Sequence, residues 1–264
     1  MSPGRALPFL SALALAGAIG FVSWQDIQPQ ARSSADAGGT LTSGYYADAG
    51  IPASLIPDDS LPVTIAQGKF EYVRGKPSRF IQRGLAPFTL AQRQINLMVQ
   101  LDSLPSDDGA VDALGALIRN WKKEGNIVSD IFLDYRPASP DFLRYAEFIK
   151  MLKQSPETKT RRLIPVVDYT WLEDGAFNQV LKLQEAAPLF LLAGTEGRAD
   201  KAAEAARKDG VHFQLFCGME DTDAKPLAQN PLFEGCLVRL DQNRPVTKKE
   251  PVMKLFPLWM RRDV

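Results

Sequence analysis

From residue 93 onward the chain alternates between two hydrophobic periods. Apolar runs of strand length recur at 95–101 (INLMVQL), 127–133 (IVSDIFL), 163–167, 188–193 (PLFLLA), 211–216 and 236–240. Between them, apolar side chains return every three or four residues, the spacing of one helix face. Val111, Leu114, Leu117, Ile118 and Trp121 form such a stripe, opened by Ser106-Asp107-Asp108 and ended by Gly125. Phe142, Tyr145, Ala146, Ile149 and Leu152 form a second, with Ser139 read as the N-cap and Pro140 as the first helical residue. Helices are also expected over 173–183 and over 198–208, the latter closed by Gly210, with a short helical piece near 224–229. KFEYV at 69–73 supplies an earlier strand.

Strands this apolar, each separated by a crossover helix, call for a parallel sheet covered on its outer face. Right-handed crossovers then leave a curling barrel or a doubly wound sheet. The barrel is favoured, because no Gly-rich phosphate loop follows the first strand. Gly194-Thr195-Glu196-Gly197 lacks the dinucleotide spacing. The expected fold class is therefore α/β, a parallel-stranded (β/α) barrel-like domain over 61–264. Only about seven strands can be counted, one short of the full eight-unit barrel. Pro165 lies inside a central strand, where it removes a ladder donor and marks a bulge or an edge.

The first twenty-four residues follow a different rule. Residues 6–24 (ALPFLSALALAGAIGFVSW) carry no charge, and as a helix would extend about 28 Å, close to the thickness of a bilayer core. An uncleaved signal anchor, with Arg5 inside and Trp24 at the far interface, is the leading expectation; a cleaved signal is the alternative. The expected location is the inner membrane, single-pass, with the domain facing the periplasm, or secretion if the segment is cut. Residues 25–60, rich in Gln, Ser, Ala, Gly and Asp, read as a flexible linker. Within them, the Tyr45-Tyr46 pair either docks on the domain, serves as a partner motif, or rides in the stalk.

Composition narrows the chemistry. With 31 Lys+Arg against 31 Asp+Glu, the formal net charge is zero, which argues against nucleic acid as a partner. The 45% of apolar residues is enough to build a core. One His, His212, and two Cys, Cys217 and Cys236, cannot assemble a thiolate or His-rich metal cage. No cofactor is expected. His212 begins a strand and reads as structural. Cys217 ends one strand and Cys236 begins the next, which in parallel neighbours would part them by roughly 15 Å, too far for a disulfide.

That leaves carboxylates. Asp102, Asp134, Asp168, Glu196, Glu220 and Asp241 all stand at or near the ends of strands, and in parallel α/β folds those ends share the ligand-binding face. Alternation gives Asp134 the parity of Phe132, Asp168 that of Val166 and Ile164, and Asp102 that of Met98 and Asn96. If those faces line the interior, Asp102, Asp134 and Asp168 converge at the mouth, with Tyr135, Tyr169 and Trp171 on adjacent loops. Acids beside aromatic rings suit a sugar. Helix capping competes as an explanation for Glu196 and Glu220. It does not explain Asp134, which Tyr135-Arg136-Pro137 separates from the cap expected at Ser139.

Four short motifs carry a resemblance: Arg93-Gln94-Ile95, Phe132-Leu133-Asp134-Tyr135, the 142–145 core ending in Tyr145, and residues 164–171 ending in Trp171. In this order they resemble an uncharacterised family of bacterial exported proteins with a glycosidase-like, TIM-barrel-like domain. Taken with the exported location and the acids beside aromatic rings, the expected molecule acted on or bound is an envelope polysaccharide. Among the strand-end acids, Asp134, Asp168 and Glu196 are the catalytic candidates. Asp102, Tyr135, Arg136, Tyr169, Trp171 and Glu220 are the expected substrate-binding residues. The family pattern would place a second acid two residues after Asp134, where this chain has Arg136. An Arg there holds Asp134 ionised, which suits a base or a binder better than a general acid. Two functions therefore stay open: a glycosidase-like enzyme, or a non-catalytic barrel serving as a sugar-binding or scaffold subunit with an envelope protein partner.

Overall fold

The computed structural model describes residues 42–241, apart from 58–60, 72–78, 91–93, 106–107, 138, 140, 174–176, 196 and 218–226. The expected membrane segment, Glu196 and Glu220 thus lie outside the described residues. Among the described residues, no helix is long and apolar enough to cross a membrane.

Eight parallel strands close into a barrel: β1 (Thr42–Ala47), β2 (Val63–Glu71), β4 (Gln94–Leu101), β5 (Ile127–Tyr135), β6 (Leu163–Asp168), β7 (Leu189–Ala193), β8 (His212–Cys217) and β9 (Phe233–Arg239). A ninth, β3 (Arg79–Gln82), lies antiparallel on the upper half of β2. Closure comes from β1, which pairs with β9 on one side and β2 on the other. This corrects the linker boundary. The eighth strand sits inside the stretch expected to be a tether, and Tyr45 and Tyr46 are buried barrel residues.

The helices match the stripes closely. They are α1 (Gly109–Lys123), α2 (Phe142–Leu152), α3 (Thr170–Glu173), α4 (Phe177–Ala186) and α5 (Ala199–Asp209). The cap of α2 is corrected from Ser139 to Asp141, whose carboxylate accepts the Arg144 backbone N–H. The helix expected over 173–183 is instead two pieces, α3 and α4.

Two apolar clusters lie on opposite faces of the barrel wall. The larger joins the outward side chains, such as Leu97, Val99 and Leu133, to the buried faces of the helices, including Trp121, Tyr145 and Ile149. The smaller fills the interior with Tyr46, Met98, Phe132, Ile164, Val166, Leu191 and Leu237. Trp121 is fully buried, and its indole N–H donates to Gln67 Oε1 at 2.7 Å, so neither polar group is left unpaired. The expected irregularity at Pro165 is resolved by ladder geometry. The β6–β7 ladder starts at Val166↔Leu191, one residue past the proline, so no partner there needs its missing N–H.

The disulfide expectation is overturned. Cys217 and Cys236 are bridged, with their Cα atoms 5.6 Å apart. The strand begins at Phe233 rather than Cys236, and Leu215 stands opposite Cys236. Cys217 is therefore a diagonal neighbour on the same outward face.

The lower end of the interior is polar. Arg162 grips the buried Asp130 through Nε–Oδ1 at 3.0 Å and Nη2–Oδ2 at 2.6 Å. Asn96 donates to Thr64 and accepts the Asp130 backbone N–H. His212 pairs with Glu234 at this same end of β8, away from the acidic strand ends.

Candidate functional site

The carboxyl ends of the strands form the opposite mouth. Asp134 is the last inward residue of β5 and only 7% exposed. Both of its oxygens are held by Arg136, Nε to Oδ1 at 2.6 Å and Nη2 to Oδ2 at 2.8 Å. Burial acts to lower the Arg136 pKa, but the hydrogen bond and charge of Asp134, helped by Tyr46 and Asp168, outweigh it and raise it. The same interactions place Asp134, Arg136, Asp168 and Tyr46 within electrostatic reach of one another.

Asp168 ends β6 half-buried. Its Oδ1 accepts the Thr170 backbone N–H at 3.0 Å and the Thr170 hydroxyl at 2.8 Å. Its Oδ2 faces Gly194 at the end of β7. A Cβ at Gly194 would stand 3.0 Å from that oxygen, and the backbone there has φ +72°. Glycine therefore serves twice, admitting the turn and leaving room for the carboxylate.

Asp102 is brought to the mouth but into a separate network. Lys69 Nζ binds Glu71 at 2.7 Å and Asp102 at 3.2 Å. An extra residue in β2 between Ala66 and Gly68 turns Gln67 outward and Lys69 inward, opposite Gln100.

The aromatic residues expected as sugar platforms are placed elsewhere. Tyr169 and Trp171 are 3% and 8% exposed and belong to the outer core. Trp171 packs edge-on against Phe142, and the Tyr169 hydroxyl accepts from Arg198. Tyr135 is half-buried and packs edge-on against Tyr145. Adjacent residues on a strand face opposite ways, so the tyrosines that follow Asp134 and Asp168 turn away from the mouth. Their role is corrected to core packing.

Two mouth residues escaped sequence reasoning, Tyr46 and Arg239. They are cross-strand partners on β1 and β9. Tyr46 packs edge-on against Phe216 at 5.1 Å, and the Arg239 guanidinium sits 5.4 Å from the centre of the same ring. Burial, then the charges of Asp48 and Asp134, push the Tyr46 phenol well above its ordinary pKa, against the opposing pull of Arg239 and Arg136. It stays a neutral donor, and its hydroxyl lies 3.5 Å from Asp48 Oδ1. The signal that could have found Arg239 is its parity with Leu237 at the end of an apolar strand. Tyr46 had no such signal without β1. Among the described residues, no group of three or more His, Cys, Asp or Glu is placed to hold a metal ion.

No family model matches the chain, and no curated protein matches it in sequence. Among solved structures, it is similar to a GH18 chitinase from Pseudoalteromonas aurantia, at 10% identity and a TM-score of 0.46. That match covers 75% of this chain and 94% of the chitinase chain.

Proposed function

We propose that the chain is a glycosidase-like barrel of the cell envelope whose mouth binds envelope polysaccharide without cleaving it. The observation that carries this reading is the Asp134–Arg136 fork. In most glycosidase families hydrolysis uses two carboxyl groups, one holding a proton and one free to attack or to activate water. Here both oxygens of the strand-end acid are engaged by a cation. The position where the resembled family would carry the second acid is that cation itself. What the mouth offers instead is a set of hydrogen-bonding groups suited to sugar hydroxyls: the Asp168 carboxylate, the Tyr46 hydroxyl and two guanidinium groups.

The envelope location and the exported family draw support from chain features. A buried Cys217–Cys236 bridge is a feature of proteins kept in oxidising compartments. The uncharged stretch at 6–24 fits an anchor in the inner membrane, with the barrel on the periplasmic side, or a signal whose removal secretes it. A protein partner in the envelope belongs to the same reading.

One observation favours a second, hydrolytic reading. Among the described residues, Asp168 Oδ2 has no hydrogen-bond partner, so it is open to a ligand. Asp168 would then act with Glu196 or Glu220. The test is to titrate the full chain in detergent with soluble envelope polysaccharide fragments, following heat and new reducing ends together. Saturable binding without reducing ends, weakened in Asp168→Asn, is the expected result. Reducing ends that vanish in Asp168→Asn establish the hydrolytic reading instead. Neither binding nor turnover overturns both.

A further inference from the structure

The barrel strands carry three cations to the mouth among the described residues, and two are already neutralised. Lys69 is held by Glu71 and Asp102, and Arg136 by Asp134. Arg239 differs. It is exposed at the end of β9, with the inward parity of Leu237, and among the described residues no carboxylate lies within ion-pair distance of it. Its one contact of note is the Phe216 ring, which steadies the guanidinium plane and leaves its N–H groups to a ligand. Beside it stands the Tyr46 hydroxyl, on the neighbouring strand in direct register.

We propose that Arg239 and Tyr46 form a subsite for a carboxylate on the bound glycan, so that the mouth selects an acidic polysaccharide. The proposal rests on the polysaccharide-binding reading and names its substrate class. A guanidinium presents a planar fork that matches a carboxylate, and the neutral Tyr46 phenol, whose single O–H makes a long 3.5 Å contact with Asp48, adds one more donor when it turns from Asp48 to the ligand. The nearby acids do not cancel the charge. Asp134 is closed by Arg136; Asp168, bonded to Thr170, and Asp48, beside Tyr46, keep their charge, but among the described residues neither forms an ion pair with Arg239. Placing the anion next to the aromatic pair of Tyr46 and Phe216 also gives the sugar ring an apolar edge to lie against.

The test uses matched probes that differ only in charge. Oligogalacturonate and oligoglucuronate are each compared with their methyl esters, alongside a neutral envelope glycan fragment, in the full chain. We expect at least one acid to bind about tenfold or more tighter than its ester at low salt. The preference should shrink as salt rises. Arg239→Gln should abolish it, Arg239→Lys should keep part, and Tyr46→Phe should weaken acid binding with the barrel intact. Arg239→Gln should leave the thermal midpoint unchanged, because the side chain is exposed. If glycans bind but acid and ester bind alike, or Arg239→Gln keeps the preference, the subsite is wrong and the polysaccharide reading stands. If no glycan binds, both fall together.

Discussion

Asp134 and Arg136, two residues apart at the end of β5, lock together through two parallel hydrogen bonds of 2.6 and 2.8 Å, with the carboxylate buried and the guanidinium half-exposed. Removing the cation alone strands a buried charge. Arg136→Gln is therefore expected to destabilise the chain by about 1–3 kcal/mol. The double variant Asp134→Asn/Arg136→Gln should recover much of that loss. Urea unfolding of the four proteins in the cycle gives the coupling; additive effects would show that the fork contributes nothing to stability.

Gly194 offers a second handle on the site. Alanine there meets a strained positive φ and the Asp168 carboxylate at 3.0 Å. Gly194→Ala should cost about 1–3 kcal/mol and weaken glycan binding more than an alanine at an open position does. Gly197, where a Cβ meets nothing within 4 Å although φ is also positive, is the control. Equal effects at both positions would attribute the loss to backbone strain alone.

The Cys217–Cys236 bridge closes a short loop between adjacent strands, with a sequence separation of 19. In the chain-entropy view, such a loop contributes about 3 kcal/mol. The double alanine variant should unfold at correspondingly lower denaturant, and the wild type should lose the same increment when reduced. Both cysteines are buried, so reduction should accompany unfolding rather than precede it. Rapid reduction of the folded protein would contradict this placement.

Alkali should find two weak points together. Burial raises the phenol pKa of Tyr46 and, more completely, of Tyr145, whose hydroxyl donates to the Leu133 carbonyl. Unfolded tyrosines ionise near pH 10. Both folded values lie above that, so stability is intact below about pH 10 and falls as pH rises beyond it, by about 1.4 kcal/mol per unit for each phenol. Unfolding midpoints between pH 8 and 11.5 should trace this fall, with a shallower slope in Tyr46→Phe. Phenolate absorbance from every tyrosine before unfolding begins would be the opposite outcome.

Much of the barrel could be read from residue patterns because its strands are continuous apolar runs and its helices are clean stripes. β1 could not. Its sequence, TSGYYA, reads as polar and small, and only its pairing on both sides buries Tyr45, Tyr46 and Ala47. The disulfide was hidden by a shift of three residues in where β9 begins, since parallel register, and not chain spacing, sets which cysteines meet. The site was half legible. Alternation brought Asp134 and Asp168 inward, and the same alternation sends Tyr135 and Tyr169 outward. The pairing of Arg162 with the buried Asp130 had no signal in the sequence pattern.

The seam between β1 and β9 has a consequence for how the chain reaches its fold. Ser43 donates to the Cys236 carbonyl across 193 positions, and Tyr46 and Arg239 meet in the same ladder. Contacts so distant in sequence form slowly, because the intervening chain must be gathered first. β1 must therefore wait for β9 to be made before the barrel can shut. Until then neither the Tyr46–Arg239 pair nor a sealed interior exists, so the proposed subsite arises only when β1 and β9 have found each other.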